Sequence, residues 1–189
     1  MENDMNKTLL LSTVLAAMMF WPPVGISAQD ATIANALAPL PARSQEGATV
    51  ISWNDDYTYE VLKEGTGQLV CYDRASEDRR AAFDVQCTNL GNLDRVAQNR
   101  RFRVESSSRE EENEMIAAAE ADGTREEAVF GSLWIAMRGE AQGSAGIHTT
   151  IAMPYATEAS TGFAENGRGG GSFIMAAGTS AAHLMVPGR

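Results

Sequence analysis

The two histidines of the chain, His148 and His183, are the residues whose type and position could most readily support chemistry. Each lies in a short apolar run in which successive side chains would alternate between the two faces of a strand. His148 then shares a face with Thr150 and Ala152, and His183 shares one with Met185. If the apolar faces of both strands point to the core, both imidazoles lie on the opposite side of one sheet. Two imidazoles on neighbouring strands could bind a transition metal, and Met185 would suit copper in its reduced form.

The number of ligands limits this metal hypothesis, so two alternatives stay open. A catalytic zinc site has three protein ligands and a structural site four, whereas these strands supply two. A third ligand would have to come from a distant carboxylate such as Glu140 or Glu158. One histidine could instead act as a general acid or base, or both could be hydrogen-bonded for structure or lie on the surface. His148 and His183 are therefore the candidate metal ligands, and no residue is assigned a catalytic role.

Other motifs in the sequence give weaker indications of a catalytic or binding site. The glycine-rich segment 167–171 lacks the spacing of phosphate-binding loops and is typical of a flexible connection. Ser180 precedes His183 by three residues, but nothing in the sequence orients the two as nucleophile and base. A cluster of arginines is followed directly by glutamates, so we interpret it as a solvated helix face with ion pairs inside the chain. Its members are Arg95, Arg100, Arg101, Arg103 and Arg109.

The composition is that of a globular protein with an acidic surface. Hydrophobic residues make up 44% and charged residues 21% of the 189 residues, and the formal net charge is -10. Such a surface repels phosphate backbones and anionic lipids, so we expect neither nucleic acid nor a membrane surface as a partner. A small molecule, a metal or another protein remains a possible partner.

The first 28 residues have the pattern of a secretory signal peptide. Lys7 supplies the positive charge, Leu9 to Phe20 form an apolar run, and residues 26–28 are a small-residue cleavage site before Gln29. The apolar run has about 12 residues, fewer than the ~20 that span a bilayer, so we expect cleavage rather than a membrane anchor. The mature chain would then be periplasmic or secreted, with no membrane insertion.

The two cysteines, Cys71 and Cys87, predict a disulfide. Export would place them where disulfides persist. Their separation does not match the C-x-x-C spacing of redox or metal motifs. A Cys71–Cys87 bridge would close a loop for which the chain-entropy model gives ~3 kcal/mol of stabilisation.

The elements around these residues predict an α+β fold, with helices inserted in an antiparallel sheet, as one domain over residues 29–189. Helices are expected at 30–37, near 92–104, and from an N-cap at Ser107 or Ser108 to Gly123. Strands are expected at 48–53, 57–62, 68–72, 132–138, 147–153, 172–177 and 182–186. We expect hairpins around residues 64–67 and 178–181, and we interpret the charged segment 73–129 as a helical insertion.

Five segments carry a resemblance to other proteins: ATIANAL at 31–37, GATVISW at 47–53, LKEGTGQLVC at 62–71, MP at 153–154, and MAAGTSAAHLMVPGR at 175–189. On these segments the chain resembles an uncharacterised family of exported bacterial proteins with a C-terminal tail of the GTxxAHLMVP type. The resemblance covers both ends of the chain after the leader and is weakest over 73–129. It implies no activity, cofactor or catalytic residue, although both histidines lie in the resembling segments.

These observations together predict a small exported binding module that holds a small molecule or a metal near His148 and His183. One alternative is an extracytoplasmic enzyme that uses a histidine as general acid or base, and another is a structural or protein-interaction module. A pocket with a carboxylate orienting one histidine would favour the enzyme. A large exposed apolar patch without a pocket would favour the interaction module.

Overall fold

Short apolar, β-branched and aromatic runs pair into one eight-stranded mixed sheet. The computed structural model describes residues 27–186, and its strands are β1 (Thr49–Trp53), β2 (Tyr59–Lys63), β3 (Leu69–Asp73), β4 (Phe83–Asn89), β5 (Leu133–Gly139), β6 (Gly146–Ala152), β7 (Phe173–Met175) and β8 (His183–Met185). Their order is β2-β1-β3-β4-β5-β6-β8-β7. The β1–β3 pair is parallel and the other neighbouring pairs are antiparallel. The predicted single-domain α+β fold is confirmed.

The longer helices begin and end close to the residues that the sequence predicts. The helices are α1 (Ala28–Leu37), α2 (Ala42–Gln45), α3 (Leu93–Glu105), α4 (Arg109–Asp122) and α5 (Glu158–Thr161). Ser108 caps α4, because its hydroxyl accepts a hydrogen bond from the Glu111 backbone N–H at 3.1 Å. Gly123 ends that helix at φ 76°, in the left-handed region that glycine adopts without steric cost. Ser27 caps α1, and Asp30 completes a capping box with it.

The sheet packs one helix against each of its faces. On one face, Ala36 and Leu37 of α1 are buried against Val50 and the Cys71–Cys87 pair. On the other face, the α3 side chains join a second core cluster, whose buried members are Ile51, Val70, Tyr72, Leu93 and Val96. Burial of each large apolar side chain contributes roughly 1.5–3 kcal/mol, so these two clusters hold the helices on the sheet. The predicted Cys71–Cys87 disulfide is confirmed.

The predicted hairpin between the second and third strands is wrong. The two strands do not pair with each other, because β1 lies between them as the antiparallel partner of β2 and the parallel partner of β3. The glycines between these two strands do not form a tight turn. They allow the connection to pass close to the backbone at the start of β1. A Cβ atom at Gly65 would lie 2.4–2.5 Å from backbone atoms of Gly47, Ala48 and Thr49. The predicted hairpin of the last two strands, β7 and β8, is confirmed.

The interpretation of 73–129 as a helical insertion needs correction, because the segment also contains β4. This strand pairs with β3 on one side and β5 on the other, which places it in the middle of the sheet. Its side chains alternate between the two faces of the sheet. Two polar residues of this strand are nevertheless buried, since Asp84 is 2% exposed and Thr88 is 0% exposed. Buried polar residues in a charged segment hide the strand from an analysis of sequence pattern.

The signal peptide prediction falls almost wholly on residues outside the described range, as does the end of the resembling tail at 187–189. Ser27 and Ala28 alone of the predicted leader are described, at the start of α1. Within residues 27–186, no helix combines the length and the apolar character that crossing a membrane requires.

Candidate functional site: an arginine-lined cleft

A cleft of about 410 Å³ lies between α3 and the face of the sheet on which that helix packs. Side chains of β4, β5, β6 and β8 form its floor in three cross-strand rows, each two residues or ~7 Å further along the strands. The rows are Gln86–Ala136–His148, then Trp134–Thr150, then Ala152–His183. The face of the sheet opposite α1 therefore carries the cleft.

The cleft exists because the floor carries small side chains in its first and last rows. Ala136 and Ala152 are each 3% exposed, and their methyl groups leave space below the helix. Elsewhere on this face the larger Tyr72 belongs to the core cluster under α3 and is 0% exposed. A leucine at either alanine would fill part of the cleft without a change of charge.

The opposite wall is one face of α3. Arg95, Asn99 and Arg103 recur at every fourth residue, and Val96 and Arg100 lie beside them, so that all five line the cleft. At 1.5 Å of rise per residue, Arg95 and Arg103 stand ~12 Å apart along the helix axis. The helix thus runs the length of the cleft, with Arg100 and Arg103 near one end and Arg95 near the other.

Four guanidinium groups surround one carboxylate at the first of these ends. Glu77 lies between β3 and β4, and its side chain is 6% exposed. Its Oε2 is 2.6 Å from Nη1 of Arg103, and Arg100 pairs with its Oε1. Arg74 and Arg80 each approach the same carboxylate at 3.4 Å. We call these five residues the Glu77 cluster.

Arg138 adds a further positive charge beside the Glu77 cluster. The backbone N–H of Arg74 donates to the carbonyl oxygen of Asp84 at 2.7 Å, and Asp84 pairs with Arg138 on β5. Arg138 is exposed, and no salt bridge found within residues 27–186 involves it. Even with the buried Asp84 and with Glu112, which pairs with Arg103 at 3.0 Å, positive charges outnumber negative ones at this end.

Burial makes the positive charge on α3 costly. Desolvation lowers the pKa of Arg100, although the neighbouring Glu77 opposes this effect. Desolvation also lowers the pKa of Arg95, against the opposing charge of Glu120. In the described part of the chain, the buried Nε of Arg100 has no hydrogen-bond partner. An anion in the cleft would favour the charged guanidinium groups and accept their hydrogen bonds.

The opposite end of the cleft is closed by a network that satisfies its own charge. Arg95 donates from Nη2 to the carbonyl and hydroxyl oxygens of Ser180, both at 3.2 Å. The Ser180 hydroxyl donates in turn to the Glu120 carboxylate of α4. Arg95 and Ser180 are 5% and 1% exposed, so the network is buried. The remaining lining at this end consists of His183 and of small apolar side chains, namely Ala128, Ala152, Ala181 and Ala182.

Both predicted histidines line this cleft, on the neighbouring antiparallel strands β6 and β8. His148 is exposed and His183 is half-buried. The Nδ1 atom of His183 lies 2.7 Å from the carbonyl oxygen of Ala181. Since a carbonyl can only accept, Nδ1 donates in this contact, and Nε2 is the ring nitrogen left to contact a ligand. The predicted period of two is thus confirmed for both strands.

The register separates the two imidazoles along the strands. His183 pairs with Ala152, which is four residues or roughly 13 Å beyond His148 on β6. Zinc–nitrogen bonds are only ~2.0–2.1 Å long, so this separation does not favour one shared ion. Within the described residues, no group of three or more histidine, cysteine or carboxylate side chains is arranged to hold a metal. Metal binding by His148 and His183 stays a prediction.

The interpretation of the arginine cluster as a solvated helix face is wrong for three of its five members. Arg95 is buried, and Arg100 and Arg103 contribute to the cleft wall, whereas Arg101 and Arg109 are exposed as expected. Sequence reasoning missed the cleft because the partners of these arginines come from distant segments, Glu77 above all. The recurrence of 95, 99 and 103 on one helix face was the available signal.

Comparison of the chain with protein-family models, with curated proteins and with solved structures finds no match. The resemblance to exported bacterial proteins therefore stays a prediction. The functional argument depends on the cleft itself.

Proposed function

We propose that this protein is an exported binding module that holds a small anionic molecule in the arginine-lined cleft. The observation that carries the proposal is the charge of the lining. Among the described residues, six arginines but a single carboxylate, Glu77, line the cleft, in a chain whose net charge is -10. A protein with an excess of acidic residues has concentrated its guanidinium groups around one concavity.

Guanidinium groups favour carboxylate, phosphate or sulfate over other ligands. Their planar fork of donors matches two oxygens of such a group at once. A hydrogen bond to a charged group contributes ~1.5–3 kcal/mol. Two or three of them would give ~3–9 kcal/mol, which corresponds to dissociation constants from above the millimolar range to below one micromolar. Affinity of this size suits reversible capture of a metabolite-sized anion.

The extracytoplasmic location in this proposal is supported by two features. The first 28 residues have a signal-peptide pattern, and the Cys71–Cys87 disulfide is typical of compartments in which thiols are oxidised. The proposal also departs from a metal site at the histidines, because five arginine charges beside the floor would repel a cation. His148, near the Arg138 end, and His183, at the other end, serve instead as hydrogen-bonding groups for the two ends of the bound molecule.

Isothermal titration of the mature protein with inorganic phosphate and phenyl phosphate, at low chloride and pH 7, tests the proposal. Arg138→Gln removes a cleft charge that holds no ion pair within residues 27–186, so we expect about tenfold weaker binding. Arg101→Gln is the matched control, since Arg101 lies on α3 but is exposed outside this cleft. It should change affinity less than twofold. Absence of saturable binding by both anions, or equal losses in the two variants, would overturn the proposal.

His183 supports a second candidate, an enzyme that acts on the bound anion. The contact of Nδ1 with the Ala181 carbonyl fixes the ring orientation, and the free Nε2 belongs to a residue that lines the cleft. Such an imidazole can act as a general acid or base. Hydrolysis of 4-acetoxybenzoate, whose carboxylate and ester stand at opposite ends of the ring, that is lost in His183→Gln but retained in His148→Gln would favour the enzyme. If the unmodified protein binds the anion without turnover, the binding module is favoured over the enzyme.

A further inference from the structure

The cleft is electrically divided along its length, and this division limits which anions fit it. At one end, Arg138 and the four arginines of the Glu77 cluster outnumber the carboxylates beside them and leave a net positive charge. At the other end, the charge of Arg95 is balanced through Ser180 by Glu120. The wall and the floor of the cleft show the same division, because α3 and the rows of the sheet both run from the charged end to the neutral end.

The neutral end is larger than a bare oxyanion requires. The cleft volume of about 410 Å³ falls in the range of roughly 300–1,000 Å³ that is typical of small-molecule sites. Beyond the Glu77 cluster, the floor continues for two rows, past Trp134 and Thr150 to Ala152. Val96 and Ala128 face this stretch among the lining residues. An inorganic anion seated among the arginines would leave this apolar stretch unused.

We infer that the ligand is an organic monoanion or dianion with one charged group attached to a neutral, ring-sized body, an inference that rests on the proposed function. The phosphate, sulfate or carboxylate lies beside Arg138 and the Glu77 cluster. The body lies on the floor between Ala136 and Ala152, over the row formed by Trp134 and Thr150. Asn99 and Thr150 are the uncharged polar groups beside the body, and they would bind hydroxyl or amide substituents. The floor alanines then determine which bodies fit.

A comparison of phenyl phosphate with inorganic phosphate tests this inference, because the two probes share the charged group and differ in the body. Burial of a ring of this size gives about 1.5–3 kcal/mol, which is roughly tenfold or more in affinity. We therefore expect phenyl phosphate to bind at least tenfold more tightly than inorganic phosphate. Ala152→Leu should remove most of that advantage, so that the ratio of the two affinities falls toward one.

Two further variants keep the test decisive. Ala136→Leu fills the same floor at a different row and serves if Ala152→Leu fails to fold, as judged by thermal unfolding. Ala141→Leu is the matched control, because Ala141 is exposed and outside the cleft. It should leave both affinities unchanged.

The outcomes separate this inference from the function on which it rests. If inorganic phosphate binds and phenyl phosphate binds no more tightly, the inference is overturned and the anion-binding function stands. If the advantage of phenyl phosphate survives both floor variants, the ring does not lie on the alanine floor and the inference is again overturned. If neither probe binds, the proposed function fails as well.

Discussion

Glu77 is the residue on which the charged end of the cleft depends. Its carboxylate is the shared partner of four guanidinium groups that come from α3 and from the segment after β3. Without it, these groups would repel one another in a poorly solvated place. Glu77 therefore orders the arginines in the absence of a ligand, and it occupies a position that an anionic group of a ligand could share.

Replacement of Glu77 by glutamine should destabilise the protein. Removal of one partner from a buried ion pair costs about 3–5 kcal/mol, because the remaining charges are left uncompensated. Denaturant unfolding should show a loss near the lower figure, since the side chains of the four arginines are 9–16% exposed. Added sulfate should restore part of the loss in Glu77→Gln by neutralising the same arginines.

Glu110→Gln is the matched control for this experiment. Glu110 is an exposed residue in the first turn of α4, where the same change removes a charge without a buried partner. Its unfolding free energy should change by less than about 0.5 kcal/mol. A Glu77→Gln protein as stable as this control, with no response to sulfate, would contradict the role assigned to Glu77.

Tyr72 gives the molecule an alkaline pH dependence that can be assigned to one residue. Burial raises the pKa of Tyr72 above its ordinary value of 10.0. The folded protein therefore keeps the phenol proton at pH values at which the unfolded chain loses it. The stabilisation by Tyr72 is complete below pH ~10 and falls as the pH rises further, by about 1.4 kcal/mol per pH unit.

Comparison with Tyr72→Phe measures this effect. The hydroxyl of Tyr72 donates to Oε1 of Gln86 at 3.0 Å, so its removal should cost about 1 kcal/mol at pH 8. The difference in unfolding free energy should shrink above pH 10 and vanish near pH ~11. Tyr59→Phe is the control, because Tyr59 is 43% exposed. A difference between wild type and Tyr72→Phe that stays constant from pH 8 to 11 would be inconsistent with this assignment.

At the scale of elements, the sequence predicted those parts of the fold whose signals are local. The caps of α4 and the alternating strands β6 and β8 follow from neighbouring residues, and the structure confirms them. Strand β4 and the placement of β1 between β2 and β3 depend on contacts far along the chain, so local pattern could not reveal them. The same division holds in the cleft, where the histidine strands were predicted and the Glu77 cluster was not.

The placement of β1 between β2 and β3 can be tested directly at Gly65, where the chain crosses close to the start of β1. A methyl group at Gly65 would overlap the backbone at the start of β1. Because backbone atoms cannot yield as a flexible side chain can, Gly65→Ala should lower the unfolding free energy by about 1–3 kcal/mol. At Gly143 a Cβ atom would meet nothing within 4 Å, so Gly143→Ala should be nearly neutral. Equal stability of the two variants would show that the close crossing is absent.

At the scale of the whole molecule, the Cys71–Cys87 disulfide ties the middle of the sheet together. It joins directly opposed residues of β3 and β4, and both cysteines are 0% exposed. β3 and β4 support α1 on one face and α3, with its cleft, on the other. The bond therefore lies in the core under α1 and joins the two strands that both cores share.

Loss of this disulfide should weaken the domain as a whole. The cysteines are 16 residues apart, and a loop of that size gives ~3 kcal/mol in the chain-entropy model. The Cys71→Ala, Cys87→Ala protein should unfold at a correspondingly lower denaturant concentration, in a single transition by both fluorescence and circular dichroism. A variant that unfolds in two separate steps would show that the two cores are independent.

The contrast between a cationic cleft and an acidic chain has a consequence for the length of the molecules that can enter. A short anion reaches the arginines with its entire charge and meets only attraction at close range. A polymer that inserted one terminal group would hold its remaining charges against a molecule whose net charge is -10. Under the proposed function, repulsion would then grow with every added unit, and the protein would favour monomers over their polymers without contacting the added units.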